Sequence, residues 1–167
     1  IVCSLNKYKN YIKHTYLYRI PIIRINYQFI TENTSKKYKY IVIGIRTRNE
    51  LKKVMDYGIY IVGIVCSDYN DPIDYLPQSL KSLIIQGNNF NQPIDYLPQS
   101  LKSLVIQGNE FNQPIDNLPQ TLKLLQITTN DFNQPIDKLP QTLKLLKIWG
   151  YKFNQILGNL PQSLKSL

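Results

Sequence analysis

A block of sequence returns at a fixed step of 21 residues, and that step limits what the chain can become more than any other feature. Phe90-Asn91-Gln92-Pro93-Ile94-Asp95 recurs as Phe111 to Asp116 and as Phe132 to Asp137. Tyr69-Asn70-Asp71-Pro72-Ile73-Asp74 is a degenerate earlier copy. Pro72, Pro93, Pro114 and Pro135 mark the same place in successive copies, and Leu76-Pro77-Gln78-Ser79-Leu80-Lys81 recurs with the same step through Leu160 to Lys165. A short fixed period means units that cannot bury their apolar face alone and must stack, each packing on its neighbours.

One coil runs Leu80-x-x-Leu83-x-Ile85-x-x-Asn88-x-Phe90, which is the leucine-rich-repeat spacing with Phe in the last place. The coils from Leu101 and Leu122 match at every position. The coil from Leu143 keeps Leu146, Ile148 and Phe153 but has Tyr151 where Asn belongs. Around Leu83 and Ile85 the apolar period is 2, the mark of a short strand with one face inward. Leu76, Leu80, Leu83, Ile85, Phe90 and Ile94 are expected to point into the coil. Pro77, Pro93 and their copies forbid most helical registers in the return leg. The predicted fold is therefore an α/β repeat: a leucine-rich-repeat-like solenoid of 21-residue coils, with a parallel β-sheet on the concave face, an extended or single-turn convex side, and a short helical remnant at the N-terminus.

Stacking places each position above its own copy. Asn88, Asn109 and Asn130 are expected to bond backbone groups at the turn after the strand, and the Phe90, Phe111, Phe132, Phe153 column to form a core spine. Asp74, Asp95, Asp116 and Asp137 align as turn caps rather than as a calcium site, since there is one Asp per coil and Gly158 breaks the column. Lys81, Lys102, Lys123, Lys144 and Lys165 form a further column. The positions between the inward strand residues face the concave surface. They are Ser82, Ile84 and Gln86; Ser103, Val105 and Gln107; Leu124, Gln126 and Thr128; Leu145, Lys147 and Trp149. These vary from coil to coil while the inward columns do not. Ile84, Gln86, Val105, Gln107, Leu124, Gln126, Thr128, Leu145, Lys147 and Trp149 are accordingly the candidate partner-binding residues, with Leu124, Leu145 and Trp149 as apolar anchors.

Ahead of the repeats the chain changes character. Residues 1–58 hold 12 of the 20 basic residues and 3 of the 11 acidic ones, so the whole net charge of +9 belongs there. Ile1 to His14 is predicted as a helix, Ile20 to Ile25 as a loop or edge segment because of Pro21, Thr31 to Lys37 as a polar loop, and Tyr40 to Ile45 and Ile59 to Val65 as strands. Stepping back by one period from Leu80, Leu83, Ile85 and Phe90 lands on Ile59, Val62, Ile64 and Tyr69, which makes residues 55–71 a degenerate first coil. A further step lands on Ile41 and Ile43, in a capping strand. The division is 1–14, 15–54 as a basic linker and capping segment, and 55–167 as repeats. Ile1 at one end and Leu167 in mid-repeat imply a piece of a longer protein.

Basic residues interleaved with Tyr8, Tyr11, Tyr16 and Tyr18 invite a nucleic-acid reading. No recognition motif accompanies them, and a chain without alanine points to compositional bias instead. No catalytic motif is present, and neither Cys3 nor Cys66 sits in a metal-binding pair, so no enzyme activity, cofactor or metal is expected. The lone His14 with Cys3 is a weaker arrangement than a buried structural cysteine. The apolar run Ile59 to Cys66 is far short of a membrane span, which needs about 20 residues.

The repeated Phe-Asn-Gln-Pro-Ile with Leu-Pro-x-Ser/Thr-Leu-Lys-x-Leu resembles the FNIP repeat, a short leucine-rich-repeat relative of amoebal and giant-virus proteins, over residues 69–167. Ile1-Val2-Cys3 to Ile12 is similar to the last helix of an F-box, with Tyr8 displaced by one position from the usual aromatic. This resemblance implies an F-box adaptor of a cullin-type ubiquitin ligase in the cytoplasm, or in the host cytoplasm if the source is viral. The repeats would hold the target, and an upstream F-box would dock a Skp-type adaptor. The alternatives are a stand-alone interaction scaffold and a nucleic-acid contact by the basic N-terminal segment.

Overall fold

The computed structural model describes residues 22–167. The predicted helix of Ile1 to His14, the F-box resemblance, the four N-terminal tyrosines and the Cys3/His14 pair lie outside them. Seven strands form one parallel sheet in chain order: β1 (Ile22–Asn26), β2 (Lys39–Ile45), β3 (Tyr60–Ser67), β4 (Ser82–Gln86), β5 (Ser103–Gln107), β6 (Leu124–Thr128) and β7 (Leu145–Trp149). The sheet is continuous across residues 54 and 55, and among the described residues β1 lies at one end of it. From β4 to β7 the register advances by whole coils, Leu83 on Leu104 on Leu125 on Leu146. The return legs contain turns and no helix: Pro77, Pro98, Pro119 and Pro140 each accept at their carbonyl from the amide three residues on.

The inward columns are buried as the spacing requires. Leu80, Leu83, Ile85, Phe90 and Ile94 are closed off from solvent, as are their copies through Leu143. Leu76 is only half-buried, whereas its copies Leu97, Leu118 and Leu139 are buried, because the first coil meets the N-terminal segment rather than another repeat. Successive Phe rings stack nearly parallel: Phe90 on Phe111 at 5.8 Å, Phe111 on Phe132 at 6.0 Å and Phe132 on Phe153 at 6.0 Å. Tyr69 heads this spine, tilted 44° at 6.4 Å from Phe90.

The coils are also tied by polar ladders. Asn91 Oδ1 accepts from the Asn112 amide at 3.0 Å and from Gln113 Nε2 at 3.0 Å. Asn112 does the same for Asn133 and Gln134, and Asn133 for Asn154 and Gln155. This is why Asn-Gln follows Phe in every full copy: each coil's Asn satisfies an amide of the next, where a lost partner would cost about 1–3 kcal/mol if buried. The Asn88 column behaves differently from expectation. Asn88 and Asn109 are exposed, and Asn130 Nδ2 donates to Asn109 Oδ1 at 3.1 Å, a side-chain pair rather than a backbone bond. Strict alternation through the strand turns the preceding position inward instead, and there stand Gly87, Gly108, Thr129 and Gly150. A Cβ on Gly108 would lie 2.2 Å from Gly87 O, so the coils approach too closely there for a side chain on glycine's backbone. Thr129 is accommodated, fully buried, with its hydroxyl donating to Phe111 O at 3.1 Å.

The N-terminal segment departs most from the extrapolated period. Leu83 pairs with Ile64 and Ile85 with Cys66, so the step from β3 to β4 is two residues shorter than a coil, although Tyr69 keeps its place below Phe90. Between β2 and β3 the register slips at Tyr40/Ile41 and again at Ile43/Ile45. Tyr40, Val42 and Ile45 are therefore buried, and Ile41 and Ile43 turn to the other face. The capping strand exists, but Ile41 and Ile43, which lie two whole periods before the inward Leu83 and Ile85, are its outward residues. A helix not foreseen in the sequence, α1 (Arg48–Asp56), crosses between β2 and β3 and buries Leu51 and Val54. Thr47 and Glu50 start it with a reciprocal capping box. Its first residue anchors it to the first coil: the Arg48 amide donates to Asp71 Oδ2 at 2.7 Å and its guanidinium grips Asp74.

Candidate functional site

Because strands alternate, every second side chain of the seven strands stands on the face away from the core. Parallel pairing in register turns these into rows. One row runs Ser82, Ser103, Leu124, Leu145; the next Ile84, Val105, Gln126, Lys147; the third Gln86, Gln107, Thr128, Trp149. All ten candidate partner-binding residues stand on this open face, half-buried or exposed. They are neighbours across strands roughly 4.8 Å apart. Gln86 Nε2 donates to Gln107 Oε1 at 3.0 Å, and Gln126 Nε2 to Thr128 Oγ1 at 3.2 Å. Trp149 is 51% exposed and packs on the exposed Tyr151 ring at 5.3 Å.

The rows continue onto the N-terminal strands, which the extrapolated period had misaligned. The middle row extends through Val65 and Ile43 to Asn26, so Ile43, Val65, Ile84 and Val105 make one β-branched stripe. The first row extends through Gly63 and Ile41 to Arg24. A Cβ on Gly63 would lie 3.0 Å from Ile41 Cγ1, so the Ile41 side chain covers that position. The missed signal was in the sequence: Ile22-Ile23-Arg24-Ile25 is apolar apart from Arg24, and Ile41 to Ile45 has no polar side chain, which leaves the facing to be decided by register.

At the C-terminal ends of β1 to β3 the open face deepens into a cleft of about 480 Å³, lined by Arg24, Asn26, Gln28, Ile43, Gly44, Arg46, Val65 and Ser67. Gly44 makes it possible. Its φ of +83° belongs to the left-handed region, and a Cβ there would press on Asn26 Nδ2 at 2.8 Å. The bulge it allows sends Ile45 into the core and leaves Arg46 on the cleft.

The other reactive groups among the described residues have structural surroundings. Cys66 is buried, and burial pushes its thiol up to about 12, the condition of an inert core cysteine. Of the Asp column, Asp74 takes Arg48, Asp95 takes Asn117 Nδ2 at 3.0 Å and Asp116 takes Lys138 Nζ at 3.0 Å, each a donor from a different unit. Among the described residues no group of three or more His, Cys, Asp or Glu is placed to hold a metal ion. No helix among them is long and apolar enough to cross a membrane.

In comparison with known proteins, the family model described as FNIP Repeat matches residues 69–96, 94–130 and 132–167. A search of curated proteins gave no match.

Proposed function

The chain belongs to the FNIP repeat family, and on that footing we propose that it recognises another protein across the open face of its sheet. FNIP repeats make it a repeat-type interaction module. The observation that carries the reading is the contrast between faces: the buried columns repeat coil after coil, while the outward rows change from Ser, Val and Gln to Leu, Lys and Trp. A surface whose composition varies over a fixed frame is suited to one target, and exposed Trp149 with Leu124 and Leu145 supplies the aromatic and aliphatic anchors that dominate protein interfaces.

The finer proposal is substrate capture for a cullin-type ubiquitin ligase in the cytoplasm, with an F-box docking a Skp-type adaptor. Its support is the similarity of Ile1 to Ile12 to the last F-box helix. The experiment compares proteins retained from cell extract by the full-length protein and by its Leu145→Asp/Trp149→Asp variant, with thermal unfolding as a folding control. Retention of a Skp-type adaptor by both, and of a target by the wild type alone, is the expected result. A target held equally by the folded variant rules out the β7 end of the open face. Absence of any ligase component removes the ligase role and leaves an interaction scaffold.

A further inference from the structure

None of the seven described strands carries an acidic residue, and all 11 of the chain's acidic residues lie outside them. The charged groups of those strands are Arg24, Lys39 and Lys147. The cleft at the ends of β1 to β3 adds Arg46 to Arg24, with the amides of Asn26 and Gln28 and the hydroxyl of Ser67 around them and no carboxylate in its lining. Asp68 follows the lining residue Ser67 in the chain, and the acid beside Arg46 is Glu50. Its Oε1 accepts from the Tyr27 hydroxyl at 2.6 Å, and its Oε2 from the amides of Arg46 and Thr47 at 2.7 and 3.2 Å. One oxygen is thus held by Tyr27 and the other by the start of α1. Among the described residues neither Arg24 nor Arg46 forms an ion pair, and residues 1–21 contain basic groups but no Asp or Glu.

We infer that this cleft receives an acidic side chain of the bound protein, resting on the reading of the open face as the gripping surface. Two guanidiniums on one cleft offer fork-shaped donors that match a carboxylate, and the surrounding amides and hydroxyl can satisfy its remaining lone pairs. The stripe of Ile43, Val65, Ile84 and Val105 leads directly out of the cleft, because Ile43 and Val65 belong to both. The target is therefore a segment with an acidic residue at one end and apolar residues laid across β2 to β5. The Gly44 bulge is what brings the second arginine to the site. Without the slip between Ile43 and Ile45, alternation would turn Arg46 away from the face that carries Arg24.

The test is direct binding of fluorescein-labelled hexaglutamate to the full-length protein at low ionic strength, with oligothymidine of equal charge as the second probe. Hexaglutamate should bind, and Arg24→Gln/Arg46→Gln should weaken it by about tenfold or more, while Lys102→Gln, at an exposed position outside the strands, changes it by less than about twofold. Arg24→Lys/Arg46→Lys should recover part of the loss. Hexaglutamate binding that is absent, or unchanged in the double Gln variant, overturns the inference. So does tighter binding of oligothymidine through the same two arginines, which would make the site one for nucleic acid. The two readings fail separately: a target lost in Leu145→Asp/Trp149→Asp but held in Arg24→Gln/Arg46→Gln leaves the open face standing and removes only the cleft.

Discussion

The guanidinium of Arg48 holds both carboxylate oxygens of Asp74, Nε to Oδ1 at 3.0 Å and a terminal nitrogen to Oδ2 at 2.5 Å. The pair joins the first turn of α1 to the first repeat, and the Arg48 amide adds a bond to Asp71. Both side chains are over a third exposed, so solvent limits what the fork contributes. Arg48→Ala should lower stability by about 1 kcal/mol in urea unfolding, and by less in high salt, as screening requires. An equal loss at all salt concentrations would assign the effect to packing instead.

The aromatic spine should carry far more. Phe111 lies between two parallel rings and is almost wholly buried, so Phe111→Ala should cost about 3–5 kcal/mol. Tyr69→Phe removes only a hydroxyl that donates to Pro72 O at 3.0 Å and should cost about 1 kcal/mol. Urea midpoints for the two variants in one series check the ratio.

The glycine column predicts an asymmetry between two similar substitutions. Gly108→Ala places a methyl 2.2 Å from a backbone oxygen of the coil below and should be strongly destabilising, whereas Gly158→Ala has nothing within 4 Å and should be close to neutral. Thermal unfolding of both variants measures this. Equal midpoints would mean that the coils can separate at no cost.

Glu50 makes the helix cap sensitive to acid. Burial alone would raise its carboxyl, but the Tyr27 hydroxyl and the Arg46 and Thr47 amides more than reverse this and hold it below its ordinary value of 4.5. A depressed folded value contributes stability above the unfolded value, and that contribution disappears as pH falls through the folded one. The stability gap between wild type and Glu50→Gln should therefore be full at neutral pH and shrink from about pH 4.5 downwards. A gap that stays constant with pH would show that the charge at Glu50 is immaterial.

How much of this was legible depended on whether a residue belonged to a repeated unit. Leu83, Ile85 and Phe90 were placed correctly because each recurs with its neighbours, and the outward rows of β4 to β7 followed from alternation alone. The period failed where the chain stops repeating. Counting back by whole coils sets Ile41 and Ile43 under the inward Leu83 and Ile85, but that count ignores two register slips and a shortened step, and one residue of slip exchanges the faces. Helix α1 went unread because only Leu51 and Val54 supply its buried face, although Thr47 and Glu50 form the spacing of a capping box. The cleft could not be found before that register was known, since nothing in Arg24 or Arg46 separately says that they share a surface.

The Asn91, Asn112 and Asn133 ladder has a direction. Each coil presents its asparagine oxygen to the coil after it and offers an amide to the one before, so every unit has an accepting side and a donating side. Any coil can therefore be inserted between two others without creating a mismatched junction, while a coil turned end for end would set oxygen against oxygen. Lineages of such proteins are free to lengthen or shorten the grip one whole unit at a time, and the wall that meets the target can change width while its chemistry is retuned separately at the outward rows.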